Sequence, residues 1–206
     1  MQYTISEKRK VYLSMAKRKA RPGSGSHLSF LRERSAHYGL PELNKYLEGV
    51  TYAIVGGLAT RLYMPERATL DSDVLVLSAN LPEAESVLVA KGVKRVGALT
   101  VGGSTWHLPD GSALDVLAFD DVWVADALTA SVVQPNGLPY ITLPYLVLMK
   151  LVAGHVQDLA DITRMLGCAN EGDLQRTRDV VKKHSIRDCE DLESMIQLGK
   201  LEYDEQ

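Results

Sequence analysis

From Gly49 onward the hydrophobic pattern changes period, and that change constrains the fold more than any other feature of the chain. Upstream, apolar residues recur at helical spacing. Thr4 with Glu7 reads as a capping box, and the run to Ala20 sets Ile5, Tyr12, Met15 and Ala16 on one side before Arg21-Pro22-Gly23 stops it. A second helix runs from near Leu28 through "SFLRERSAHYG", and a third, "PELNKYLEG", starts at Pro41 and stops at Gly49. Downstream, "VTYAIVG" (50–56) is a short β-branched and apolar run ending in glycine, the pattern of a buried strand. Gly56-Gly57 then opens a helix to about Met64, which Pro65 ends. The strand "DSDVLVL" (71–77) follows, and "LPEAESVLVAKG" (81–92) carries the punctuation of a helix. "ALTVGGSTWHL" and "SALDVLAF" read as two strands joined in a hairpin across Pro109-Asp110-Gly111, and a second hairpin joins "ASVVQ" to "YITL" across Pro135-Asn136-Gly137. Beyond Pro144 the chain reads as helix, through "PYLVLMKLVAGHVQDLADITRML" and on to the charged tail.

This order predicts an α/β protein with a small mixed sheet between helical segments. Residues 1–48 form a basic helical arm, 49–143 the α/β core and 144–206 a helical C-terminal part, with "GSGSH" at 23–27 as a hinge. Charge is unevenly spread. Residues 1–50 carry ten Lys or Arg against four Glu, a local excess of +6 in a chain whose formal net charge is −3, which suggests a polyanionic partner near the N-terminal segment. Cys168 and Cys189 form no CxxC pattern, so neither a zinc site nor a disulfide framework is expected, and a reducing cytoplasm fits. The longest apolar run, Tyr145 to Ala153, is interrupted by Lys150, so no membrane span is expected.

The chemistry gathers in the core. Asp71 and Asp73 alternate along a strand and project to the same side, where two carboxylates repel unless a cation or proton lies between them. Asp115 sits inside the apolar strand "ALDVLAF", where a carboxylate without a partner would be costly. If the two strands are neighbours, three carboxylates meet. Oxygen ligands of this kind suit a hard cation, Mg²⁺ (or Mn²⁺), with substrate phosphates and water completing its shell. Gly56-Gly57, between a strand and a helix, leaves room for a phosphate to reach backbone N–H groups.

These residues carry a resemblance. "VGGLATRLYMPERATLDSDVLV" is similar to the signature of the nucleotidyltransferase superfamily, the fold shared with DNA polymerase beta: a Gly-Gly turn, an Asp-x-Asp strand and a third aspartate on a later strand, here Asp115. "Arg67-Ala68-Thr69-Leu70-Asp71" resembles a common form of the approach to that motif. The later stretch "LPYLVLMKLVAGHVQDLADITRML" resembles the AbiEii-type enzymes found as toxins in toxin-antitoxin pairs, matched by Lys150, Asp158 and Asp161, with His155 and Gln157 where that family often has arginine and lysine. The resemblance implies a sheet of nucleotidyltransferase type, metal ligation by Asp71, Asp73 and Asp115, and catalysis supported by Lys150, Asp158 and Asp161. It also implies binding of an NTP by Gly56, Gly57, Arg67, Thr69 and Lys150, an RNA acceptor such as a tRNA end, and a partner antitoxin. An antibiotic-modifying transferase and a catalytically silent binding domain are the competing readings; three clustered carboxylates argue against the second.

Along the helix that carries Lys150, positions 150 and 161 fall nearly on one face but stand roughly 16 Å apart along the axis. A direct Lys150–Asp161 ion pair is then excluded, and each residue needs another partner.

Overall fold

The computed structural model describes residues 4–20, 22, 42–64 and 71–203. The helix expected from near Leu28 to Gly39, together with Arg67 and Thr69, lies outside these residues. The fold is mixed α/β, as the alternation of periods requires. Its described residues fall into two compact units.

One unit is built on a seven-stranded sheet in the order β3-β4-β5-β2-β1-β7-β6. Its strands are β1 (Ala53–Val55), β2 (Ser72–Leu77), β3 (Lys94–Ala98), β4 (Gly103–His107), β5 (Ala113–Phe119), β6 (Val132–Val133) and β7 (Pro139–Tyr140). β2 pairs with β1 in antiparallel fashion and with β5 in parallel. The short helix α2 (Leu43–Tyr46) precedes β1, α3 (Gly56–Tyr63) follows it, α4 (Leu81–Ala90) follows β2 and α5 (Val122–Thr129) follows β5. Val74, Leu75 and Val76 of β2 are completely buried, and Leu114 and Val116 of β5 join them. Fully burying side chains of this size stabilises by about 1.5–3 kcal/mol each.

Two expectations for this region need correction. "ALTVGGSTWHL" is not one strand, because the chain reverses between β3 and β4. Gly102 and Gly103 hold φ angles of 105° and 106°, and a Cβ on Gly103 would stand 1.8 Å from the Val116 carbonyl oxygen. Only glycine fits that backbone against its neighbour, so the pair is a turn within an apparent strand. The helix α5 was also not anticipated. Its signal is present in Asp120-Asp121 ahead of apolar residues at 123, 124, 127 and 128, all four of them buried.

The second unit is helical: α1 (Ile5–Lys19) clusters with α6 (Leu143–Ala153), α7 (Val156–Gly167), α8 (Glu171–His184) and α9 (Cys189–Tyr203). The capping box of α1 forms as read: the Glu7 N–H donates to the Thr4 hydroxyl and the Thr4 N–H to the Glu7 carboxylate. The buried face differs from the reading. Ile5 and Met15 are 46% and 52% exposed, whereas Leu13 and Arg9 are buried. Arg9 is drawn inward by Asp188 at 2.7 Å, Asp191 at 3.2 Å and the Leu151 carbonyl at 2.7 Å, so a cation takes the place expected of an apolar residue.

The long helix after Pro144 is broken. Gly154, at φ 66°, ends α6, and His155 in extended conformation begins α7. A Cβ on Gly154 would lie 2.3 Å from Cγ2 of Ile5, so α1 packs directly onto the bend. At the other end of α7, Gly167 and Gly199 let α7 and α9 touch backbone to backbone: a Cβ on Gly199 would sit 2.1 Å from the Thr163 carbonyl oxygen.

Candidate active site

The register of the parallel pair sets the site. Asp73 on β2 is directly opposite Asp115 on β5, and Asp115 is opposite Thr105 on β4. Paired residues of adjacent strands project to the same face, with their backbones about 4.8 Å apart. One row across the sheet therefore reads Val55, Asp73, Asp115, Thr105. The residues on either side of it in sequence (Ser72, Leu114, Val116, Ser104 and Trp106) point the other way and are buried. Asp73, Asp115 and Thr105 are half-buried, and the face that carries them is the more open one. Trp106 is fully buried, with its indole N–H donating to the Ser104 hydroxyl at 2.8 Å.

Gly56 closes one side of the pair. It begins α3 at φ 57°, and a Cβ there would lie 1.8 Å from Oδ2 of Asp73. The side chain missing from Gly56 is therefore the space in which the Asp73 carboxylate sits. The Thr60 hydroxyl donates to the Gly56 carbonyl at 2.7 Å and fixes the first turn of α3, whose residue Gly57 is buried. Asp71 stands one residue before β2 and is exposed.

Oδ1 of Asp115 is buried and accepts no hydrogen bond from the described residues. A buried carboxylate oxygen without a donor costs about 1–3 kcal/mol or more, and a like charge on the adjacent strand adds to that cost. Among the described residues no group of three or more His, Cys, Asp and Glu side chains is arranged to hold a metal ion. The register supplies a pair. Two carboxylates are nevertheless a sufficient protein contribution for Mg²⁺, which keeps several waters and takes phosphate oxygens from its substrate. All-oxygen donors, a bare buried oxygen and a glycine cradle fit a hard divalent cation.

The helical unit holds the remaining candidates. The Lys150 ammonium donates to Asp158 at 2.9 Å and to Asp161 at 2.8 Å. This overturns the exclusion of a Lys150–Asp161 pair, and the reason is the bend at Gly154: α7 folds back, so separation along one continuous axis does not apply. Asp161 is fully buried and also accepts from Gln157 at 2.9 Å, while Asp158 bonds His155 through the ring Nδ1 at 2.9 Å and the backbone N–H at 3.3 Å. His155 and Gln157 thus hold the two aspartates in place. The i, i+3 and i, i+4 spacings were legible; the reversal that brings Lys150 to them was not.

No protein-family model matches the chain. No curated protein matches it either. Solved structures similar to it include ANT(2″)-Ia in complex with adenylyl-2″-tobramycin, at 16% identity over 72% of this chain and 87% of that one, with a TM-score of 0.41. A CCA-adding enzyme in complex with CTP is 16% identical over 84% of this chain and 50% of that one, with a TM-score of 0.35. The Megavirus polyadenylate synthase is 11% identical over 80% of this chain and 36% of its own, with a TM-score of 0.32.

Proposed function

We propose that the chain is a metal-dependent nucleotidyltransferase of the AbiEii type, moving a nucleoside monophosphate from an NTP to an RNA acceptor such as a tRNA end. In this reading it acts in the cytoplasm as the toxin of a toxin-antitoxin pair, restrained by a partner antitoxin. The observation that carries the reading is the Asp73–Asp115 pair, in register on one open face, with a buried oxygen of Asp115 lacking a donor among the described residues. The exposed Lys8, Lys10, Lys17, Arg18 and Lys19 of α1 support a polyanionic acceptor. Among the described residues no helix is long and apolar enough to cross a membrane.

Asp73 and Asp115, joined by Asp71 at the approach to β2, would hold Mg²⁺ or Mn²⁺. When bound, the cation neutralises the carboxylates and the phosphate oxygens and stabilises charge on the leaving group. Gly56 and Gly57 would admit the triphosphate to the backbone N–H groups opening α3. Arg67 and Thr69 are assigned to the same nucleotide by the motif they stand in. The acceptor hydroxyl oxygen attacks the α-phosphorus, forming an ester bond as the bond from that phosphorus to the bridging oxygen breaks and pyrophosphate departs. The hydroxyl proton passes to the Asp115 carboxylate and then to solvent. Lys150, which donates to both Asp158 and Asp161, is assigned with them to catalysis and to the nucleotide by the motif it resembles.

Incubation with each α-labelled NTP, Mg²⁺ and total cellular RNA tests the reading. Label is expected in RNA, and Asp73→Asn and Asp115→Asn should each lower transfer by at least about 100-fold, the loss typical when an electrostatic stabiliser of the transition state is removed. Wild-type transfer by Asp73→Asn removes the assignment. Transfer to an aminoglycoside in place of RNA would move the acceptor to the antibiotic class.

A further inference from the structure

The open face that bears Asp73 and Asp115 does not end at Thr105. One row further along, Ala113 of β5 is opposite His107 of β4, and His107 is opposite Lys94 of β3. Strand alternation puts 94, 107 and 113 on the same side as 105 and 115. His107 lies on the diagonal from Asp115, about 7–8 Å away between side-chain roots, and the small Ala113 leaves the space between them open. Both Lys94 and His107 are exposed.

Their surroundings set them apart. The nearby cations Lys91 and Arg95 are ion-paired, with Glu48 at 2.7 Å and Glu85 at 3.5 Å. Among the described residues the side chains of Lys94 and His107 have no hydrogen-bond or ion-pair partner. A cation and an imidazole directly opposite each other, both unsatisfied, form a cross-strand pair that repels whenever the histidine is protonated, and an anion between them would relieve this. Edge strands often carry lysine to block pairing with other chains, and β3 is an edge strand. That role does not call for a histidine opposite, nor for placement on the carboxylate face.

We infer that Lys94 and His107 form the acceptor side of the site, taking a phosphate of an RNA strand whose terminal hydroxyl is presented to the Asp73–Asp115 pair. The inference rests on the nucleotidyltransferase reading above and narrows its acceptor. The charge on this edge suits a phosphodiester and opposes a polycationic sugar. Thr105, at the end of the Asp73–Asp115 row and two residues before His107 on the same face, offers the same strand a hydroxyl.

The test uses the full chain, a fluorescein-labelled single-stranded RNA with a free 3′ hydroxyl, and the variants Lys94→Gln, His107→Gln and Asp73→Asn. RNA binding is read by anisotropy over a range of KCl concentrations, and transfer by the KM for RNA and for NTP separately. Each of the first two variants should weaken RNA binding about tenfold, the worth of one hydrogen bond to a charged group. The KM for RNA should rise in step while the KM for NTP holds within about twofold. Lys94→Gln should also flatten the dependence of log K on log salt by about 0.7, the slope carried by one phosphate contact on a single strand. Unchanged RNA affinity and salt slope in both variants, with Asp73→Asn inactive, overturns the acceptor assignment and leaves the transferase standing. An Asp73→Asn protein with full activity removes the transferase itself. Tighter binding of an aminoglycoside by Lys94→Gln also overturns the inference. An edge-protection role alone would show as aggregation of Lys94→Gln with its RNA affinity intact.

Discussion

Replacing Lys150 by methionine takes one ammonium from between two carboxylates, and the cost can be worked from the geometry. The ammonium stands 2.9 Å from Asp158 and 2.8 Å from Asp161. Asp161 is fully buried and the Asp158 side chain only 16% exposed, so little water can replace the lost cation. Gln157 still donates to Asp161 and the His155 backbone N–H to Asp158, but neither amide replaces the positive charge of the ammonium. Removing one partner of a buried ion pair costs about 3–5 kcal/mol. Two hydrogen bonds to charged groups, at about 1.5–3 kcal/mol each, give the same range. Methionine is close to lysine in length and helix propensity, so packing and backbone contribute little. Urea unfolding at neutral pH should therefore show a lower midpoint for Lys150→Met with an unchanged slope. Adding Asp161→Asn removes the stranded charge and should recover about 2 kcal/mol or more. A loss below about 1 kcal/mol, or a double variant as unstable as the sum of its single changes, refutes the network as drawn.

Three further outcomes follow from the same kind of reasoning. Gly56→Ala meets both left-handed backbone strain and a Cβ 1.8 Å from the Asp73 carboxylate, whereas Gly49→Ala, at φ 80° with nothing within 4 Å, meets the strain alone. Gly49→Ala should lose about 1–2 kcal/mol and Gly56→Ala clearly more, with at least about tenfold weaker Mg²⁺ binding by calorimetry; equal losses would count against the cradle. Arg9→Met strips the buried Asp191 of its cation, leaves Asp188 with only Arg187 at 3.9 Å and takes the donor from the Leu151 carbonyl, so α1 should loosen by about 3–5 kcal/mol and become at least about tenfold faster to trypsin, with unchanged protection refuting its docking role. Burial pushes the Tyr52 hydroxyl up to about 12 from an ordinary value of 10.0. The unfolded chain then ionises first, so stability is intact below pH 10 and falls by up to about 2.7 kcal/mol between pH 10 and 12; in Tyr52→Phe that share of the decline should vanish from urea midpoints measured across the range.

What the sequence disclosed depended on whether a signal was local. The capping box of α1 lies within one turn, and Thr4 and Glu7 were enough to find it. The β2 strand was legible because its apolar run is flanked by polar residues, and α4 because Pro82 and Gly92 bracket it. The pairing of Asp73 with Asp115 was only conditional on the strands being neighbours, since register between segments some forty residues apart is set by tertiary packing. Arg9 was hidden for the same reason, because its partners lie 179 and 182 residues away. Gly154 misled in a different manner: a single glycine in a helical pattern is tolerated on average, and only the contact with Ile5 shows that this one turns the chain.

The aspartates of the two units reach opposite electrostatic solutions. Asp161 is fully buried, and the fold answers its charge from within, with Lys150 and Gln157 both donating to it. Asp115 also has a buried oxygen, yet no donor from the described residues reaches it, and the strand beside it presents another carboxylate instead of a lysine. Packing alone does not account for the difference, since the same chain supplies internal cations to Asp158, Asp161, Asp188 and Asp191. A fold that neutralises its structural carboxylates and leaves one oxygen bare of any donor from the described residues, beside a glycine cradle, is suited to a charge from outside. In the proposed reaction a divalent cation would supply that charge. Mg²⁺ should therefore raise the unfolding midpoint of the wild-type chain more than that of Asp115→Asn, a difference readable without any turnover.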